Sequence, residues 1–334
     1  MIDDIRAHLD ALAKPRGAMG RLEALATELA LTQRRIDART SPRRAVLFAA
    51  DHGCVAEGVS AWPSAVTAMM VATILSGRAT SNALASAADC PLRLVDVGMI
   101  GARVEGPAFF RDARVADGTE PLGVGPAMTV AQFDAAWAVG ADEAMRAIDE
   151  GAVLLIAGEM GIGNTTPAAC LTALLTGIDP PAAVGRGAGA DDPVLAAKRG
   201  VVAAATARAR AMADPREAIA SVAGYEIAAM AGFYATGAAR GVTLLLDGYV
   251  STAAALIAER LVPGSVRAMI AGHRSAEPGH GAALAALGLA PVLEWEMRLG
   301  EGSGALTALP LLDAAAALLN DVVRLDQIGA DRAD

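Results

Sequence analysis

Four short apolar runs constrain this chain more than any other feature. AVLFAA (45–50), LRLVDVG (92–98), AVLLIAG (152–158) and VTLLLDG (242–248) are almost continuous in small and branched aliphatic residues. Each meets an Asp or Gly and leads towards an Ala-rich helical stretch. RAMIAGH (267–273) is a fifth run of the same kind. A strand with one face in water alternates apolar and polar residues, whereas a strand apolar at every position is covered on both faces. Such strands alternating with helices predict an α/β fold, a doubly wound, mostly parallel Rossmann-like sheet. Residues 1–40 read as helical, with Ile5, Leu9, Leu12, Leu22, Leu25, Ala26, Leu29 and Ile36 at helix spacing around the turn KPRGAMG. A last apolar helix is expected from about Thr307 to Leu325. The two ends, 1–40 and 305–334, are expected to form a small helical domain beside an α/β core at 41–304.

Composition narrows the function classes. Hydrophobic residues make up 54% of the 334 residues but aromatics only 3%, which suits close helix-on-sheet packing. The most apolar region, 228–258, is broken by Arg240 and Asp247, so no membrane span of about 20 uninterrupted apolar residues is expected. The acidic, amphipathic N-terminus lacks the apolar core of a signal peptide, and cytoplasm is the expected location. Cys54, Cys90 and Cys170 are too few and too scattered for a disulfide framework or a zinc knuckle. A net charge of -9 without a basic stripe argues against nucleic acid as a partner. It also means that an anionic substrate must be held by local amides and a few cations, against the global field.

Open parallel sheets bind ligands beyond the carboxyl ends of their strands, and the unusual polar segments of this chain follow the apolar runs. AGEMGIGNTTPAA (157–169) reads as a strand, a Gly-rich loop and a helix start, with Thr166 as the expected cap and Pro167 as the first helical residue. Its glycines and a free helix end suit an anion, although a tight turn without a ligand fits the same pattern. VGRGAGADD (184–192), followed by Lys198 and Arg199, offers Arg186 and Lys198 as phosphate cations, or else is a solvated surface loop. Asp51 and His52 after the first run, with His273, Glu277 and His280, invite a metal reading, yet their spacing matches no compact ligand motif and structural roles suffice. In MRLGEGSGA (297–305), Glu301 stands among three glycines, which give steric room for something planar; a turn before the last helix is the plainer alternative.

Taken together these segments resemble the nicotinate-nucleotide–dimethylbenzimidazole phosphoribosyltransferase family of cobalamin lower-ligand synthesis. The resemblance spans nearly the whole chain, in KPRGAMGRLEALA (14–26), ADHGCVAEGVSAWPSAVT (50–67), VDVGM (95–99), PAMT (126–129), GEMGIGNTTPAA (158–169), VGRGAGADD (184–192), YEIAAMAG (225–232), LLLDGYV (244–250), AGHRSAEPGH (271–280) and MRLGEGSGALTALPLL (297–312). It implies an enzyme with Glu301 as general base and Glu159 as a second carboxylate. It implies a nicotinate mononucleotide site at Gly161, Gly163, Asn164, Thr165, Thr166, Arg186, Gly187 and Lys198. The benzimidazole pocket would fall at Ser60, Trp62, Pro63 and Leu299. It further implies small-molecule substrates, a homodimer, and neither metal nor cofactor. The chain departs from the family at Ala18-Met19 and at Ala68-Met69-Met70, and the second departure leaves the preferred base open.

Overall fold

The computed structural model describes residues 1–329, so 330–334 of the expected C-terminal segment lie outside it. Six strands form one sheet: β1 Arg43–Ala50, β2 Leu92–Gly98, β3 Phe110–Asp112, β4 Leu154–Met160, β5 Thr243–Leu246 and β6 Met269–Ala271. All five pairings are parallel and the order is β3-β2-β1-β4-β5-β6, the doubly wound Rossmann arrangement. The five apolar runs became strands because both faces of the sheet are covered. Val46 and Phe48 pack into one core cluster, while Leu47 and Ala49, which point the opposite way, pack into another.

The first face is covered by the helices Val130–Asp149, Thr165–Thr176, Tyr225–Arg240 and Tyr249–Leu261. Two of them approach unusually closely. A Cβ on Gly140 would lie 1.7 Å from Ala229 O, and one on Gly232 would lie 2.1 Å from Trp137 O, so only glycine permits this crossing. On the opposite face the terminal helices Ile2–Ala11, Arg21–Gln33 and Ser303–Asn320 share one core with Leu154, Ile156, Leu245 and Ile270 of the sheet.

The structure departs from the sequence reading in two places. Strand β3 was not legible, because two of the three residues of FRD at the sheet edge are charged. The last helix runs Ser303–Asn320 rather than from near Thr307 to Leu325, which places its N-terminus beside Glu301. That helix is also the one among the described residues long and apolar enough to cross a membrane. It is mostly buried here against the sheet and the N-terminal helices.

Candidate active site

The chain reverses direction across the sheet between β1 and β4, and ligands of doubly wound sheets bind at that switch point. A cleft lies there, with a space of about 880 Å³ counted out to its open mouth. It is lined by Glu159, Gly161, Gly163, Asn164 and Thr165 after β4, by Arg186, Gly187 and Lys198, by Ser60, and by Leu299. Ten of the fourteen expected site residues therefore meet in one place.

Strand β4 runs two residues past the apolar stretch and carries Glu159 to the rim. The next helix starts at Thr165, with Asn164 at the cap position. Thr166 is thus not the cap, and Pro167 is the third helical residue. Proline is tolerated there because an amide in the first turn has no intrahelical partner. Thr166 is fully buried behind the loop and does not line the cleft, and its hydroxyl has no hydrogen-bond partner. Asn164 instead turns its amide nitrogen onto Oε2 of Glu159. Burial pushes the Glu159 carboxyl well up; the charges of Glu226, Asp247 and Glu301 add to the effect, and the Asn164 bond opposes it.

Lys198 reaches the same loop from the Asp192–Arg210 helix. The residue is 2% exposed, and its ammonium donates to Thr165 Oγ1 at 2.6 Å and Gly185 O at 3.1 Å. Burial pushes its pKa down and the nearby Glu277 charge opposes this. Arg186 lines the cleft, but its guanidinium is held outward by Asp192 at 2.5 Å and Ala190 O at 2.8 Å. Arg298, which sequence reasoning did not single out, donates to Gly187 O at 3.0 Å and so ties the 185–189 segment to the one carrying Glu301.

Glu301 occupies the middle of a run of three left-handed residues, Gly300, Glu301 and Gly302, with φ of 88°, 58° and 73°. A non-glycine residue held there is strained, and such strain persists where surrounding structure imposes it. The constraint is Asp247 at the end of β5. Its carboxylate accepts from Gly302 N at 3.2 Å, Gly304 N at 2.7 Å and Ala305 N at 3.2 Å, capping the last helix from another strand. Glu301 N in turn donates to Glu159 O at 3.2 Å. Glu301 is 3% exposed, and its Oε2 has no hydrogen-bond partner. Burial pushes its carboxyl above the usual range; Ser81 opposes this and Asp247 reinforces it. Glu301 itself is not part of the cleft lining, although the adjacent Leu299 and Gly300 are.

The mouth is apolar. Leu299 is 53% exposed and Trp62 50% exposed, and the Trp62 indole N–H donates to Ala188 O at 3.1 Å. Pro63 is exposed at the rim and, like Trp62, is not part of the cleft lining. Three of the residues behind the metal reading have other partners, while His273 and Glu277 line the cleft. His52 bonds Glu226 at 2.8 Å, and Asp51 accepts from Ile100 N at 2.8 Å. His280 accepts from Ser275 N at Nδ1, so its Nε2 donates to Thr252, and burial pushes its pKa down to about 3. Among the described residues no three His, Cys, Asp or Glu side chains are grouped to hold a metal ion.

Strand order and a cleft at the switch point define an α/β enzyme of the doubly wound class. The phosphoribosyltransferase family model matches residues 1–329. The chain is 47% identical over 315 residues to the nicotinate-nucleotide–dimethylbenzimidazole phosphoribosyltransferase of Thermus thermophilus, covering 94% of each chain. It is 47% identical over 333 residues to the Mycobacterium marinum protein of the same name, covering 98% of this chain and 92% of that one. The crystal structure of CobT from Thermus thermophilus matches with a TM-score of 0.95 and 45% identity over 99% of both chains. The chain belongs to the nicotinate-nucleotide–dimethylbenzimidazole phosphoribosyltransferase family, a family of pentosyltransferases.

Proposed function

We propose that this chain moves ribose 5-phosphate from nicotinate mononucleotide to 5,6-dimethylbenzimidazole, giving α-ribazole 5′-phosphate and nicotinate, with Glu301 as general base. One observation carries the assignment of the base: a buried carboxylate oxygen, Oε2 of Glu301, is left without a partner on the residue that follows Gly300 of the cleft lining. An unpartnered acceptor in a buried site is costly unless a ligand satisfies it.

The chemistry accounts for a carboxylate at this place. The glycosidic bond of nicotinate mononucleotide joins C1′ to a cationic pyridinium nitrogen. Its cleavage releases a neutral ring nitrogen, so departure needs no protonation. The acceptor carries one N–H and one lone-pair nitrogen, and attack by the lone pair would leave the ring cationic. A carboxylate bonded to the N–H aims the opposite nitrogen at C1′ and takes the proton as charge develops. Attack on the face opposite nicotinate inverts C1′ and gives the α product. Glu301 is suited to this because burial raises its basicity, while the Asp247 cap fixes the backbone that carries it. Gly161, Gly163, Asn164 and Thr165 with Gly187 and Lys198 hold the phosphate as a handle that fixes the ribose. Trp62 and Leu299 offer apolar faces to the flat acceptor.

The protein is taken to work as a homodimer in the cytoplasm, and sedimentation of the purified chain tests the first point. Mixing the two substrates with the enzyme should release nicotinate and form a phosphoribosyl benzimidazole whose anomeric proton has the α coupling. No nicotinate release, or a β product, overturns the proposal. Running the same assay with other benzimidazoles, adenine and phenol ranks the acceptors.

A further inference from the structure

The cradle assigned above to a substrate phosphate already contains a negative side chain. Glu277 lies between β6 and the His280–Leu287 helix and is 7% exposed. Its Oε1 accepts from the Gly187 amide at 2.9 Å. Its Oε2 is buried without a partner and abuts Gly185, where an added Cβ would lie 2.2 Å from it. Its charge is the first of the influences that hold the Lys198 pKa up against burial. Glu277 also lines the cleft together with Gly187 and Lys198. A carboxylate thus sits among the amide and the ammonium that a phosphate would use.

We propose that Glu277 is a resident anion, which balances Lys198 in the empty cradle and weakens the cradle's grip on phosphate. This rests on the functional reading above. A buried ammonium with only neutral acceptors is unfavourable, and Glu277 supplies the missing charge. A phosphate that takes the Gly187 N–H displaces Glu277 from it and meets its repulsion. That suits a group-transfer enzyme. The same phosphate is present on substrate and product, so tight binding of it does not distinguish the transition state and only slows release. Glu277 is a positioning residue; it takes no part in bond making.

Glu277→Gln tests this, because the amide keeps an acceptor for Gly187 N–H while the charge is lost. Inorganic phosphate should bind the full-length variant about tenfold more tightly than wild type. The nucleotide KM should fall and slower release of the phosphate-bearing product should lower kcat, and the ligand-free variant should melt earlier as Lys198 loses its counter-charge. Glu277→Asp, which keeps the charge, should bind phosphate within about twofold of wild type. Phosphate binding unchanged or weakened in Glu277→Gln overturns the proposal. So does weaker nucleotide binding with unaltered phosphate binding, which would mark Glu277 as an acceptor for ribose hydroxyls. A wild-type crystal with phosphate bound decides the question whatever the variant's stability. Gly187 N–H should bond the phosphate, and a phosphate bound with Gly187 still donating to Glu277 contradicts the inference. Failure of the functional reading would appear separately, as absence of nicotinate release by wild type.

Discussion

Two carboxylates meet at the rim of the sheet, and their settings differ in the property that matters for a base. Glu159 is the penultimate residue of a regular strand, and Asn164 donates to one of its oxygens. Glu301 sits on a left-handed turn with Oε2 unpartnered. Burial raises both carboxyls. Raised basicity alone therefore does not separate the two; what differs is that Glu159 already accepts from an amide, whereas Oε2 of Glu301 is buried with no donor. The difference is built by distant parts of the chain. Asp247 holds three amides of the 302–305 segment and so fixes the turn, whereas the loop after β4 supplies its own partner for Glu159.

Glu301→Gln should separate the two most sharply, with turnover falling about 10²–10⁴-fold while nicotinate mononucleotide affinity stays within about twofold. A variant with near-normal turnover breaks the assignment. Asp247→Ala removes the acceptor of three buried amides. It should lower turnover about 10–100-fold through misplacement of Glu301 and should also lower the melting temperature. A lower melting temperature with full turnover would show that the turn does not depend on its cap. Lys198→Ala acts on the other side of the cleft. It should raise the nucleotide KM about 10–100-fold with a smaller change in kcat, and an unaltered KM removes Lys198 from the cradle.

The smallest effect concerns stability. A carboxyl whose pKa is raised by folding binds its proton more tightly in the native state, so stability falls as pH rises above the range of an ordinary glutamate, near 4.5. Glu159→Gln removes that penalty. It should raise the melting temperature by about 2–5 °C at neutral pH, with the gain shrinking as pH falls towards 4.5. A gain independent of pH would point to packing instead.

Much of the fold was legible because five strands are buried on both faces, which writes itself as unbroken apolar sequence. Strand β3 escaped because it lies at the edge and its residues are half exposed or exposed. Most of the site was legible through the Gly-rich segments that follow strands, but the start of the helix at Thr165 was not. Three consecutive polar residues can each serve as a cap, and the choice fell to Asn164. Asp247 and Arg298 carried no local signal. Their contacts join residues 55 to 58 and 111 positions apart, and only the folded chain brings them together. Glu277 was noticed as a metal candidate, whereas its actual neighbours are the Gly187 amide and Lys198.

The most direct test of Glu301 uses an acceptor that has no proton to give. Transfer to benzimidazole and to 1-methylbenzimidazole should be timed in single turnovers with wild type and Glu301→Gln. The substitution should slow benzimidazole about 10²–10⁴-fold and the methylated acceptor by less than about threefold. An equal loss with both acceptors would contradict proton removal by Glu301.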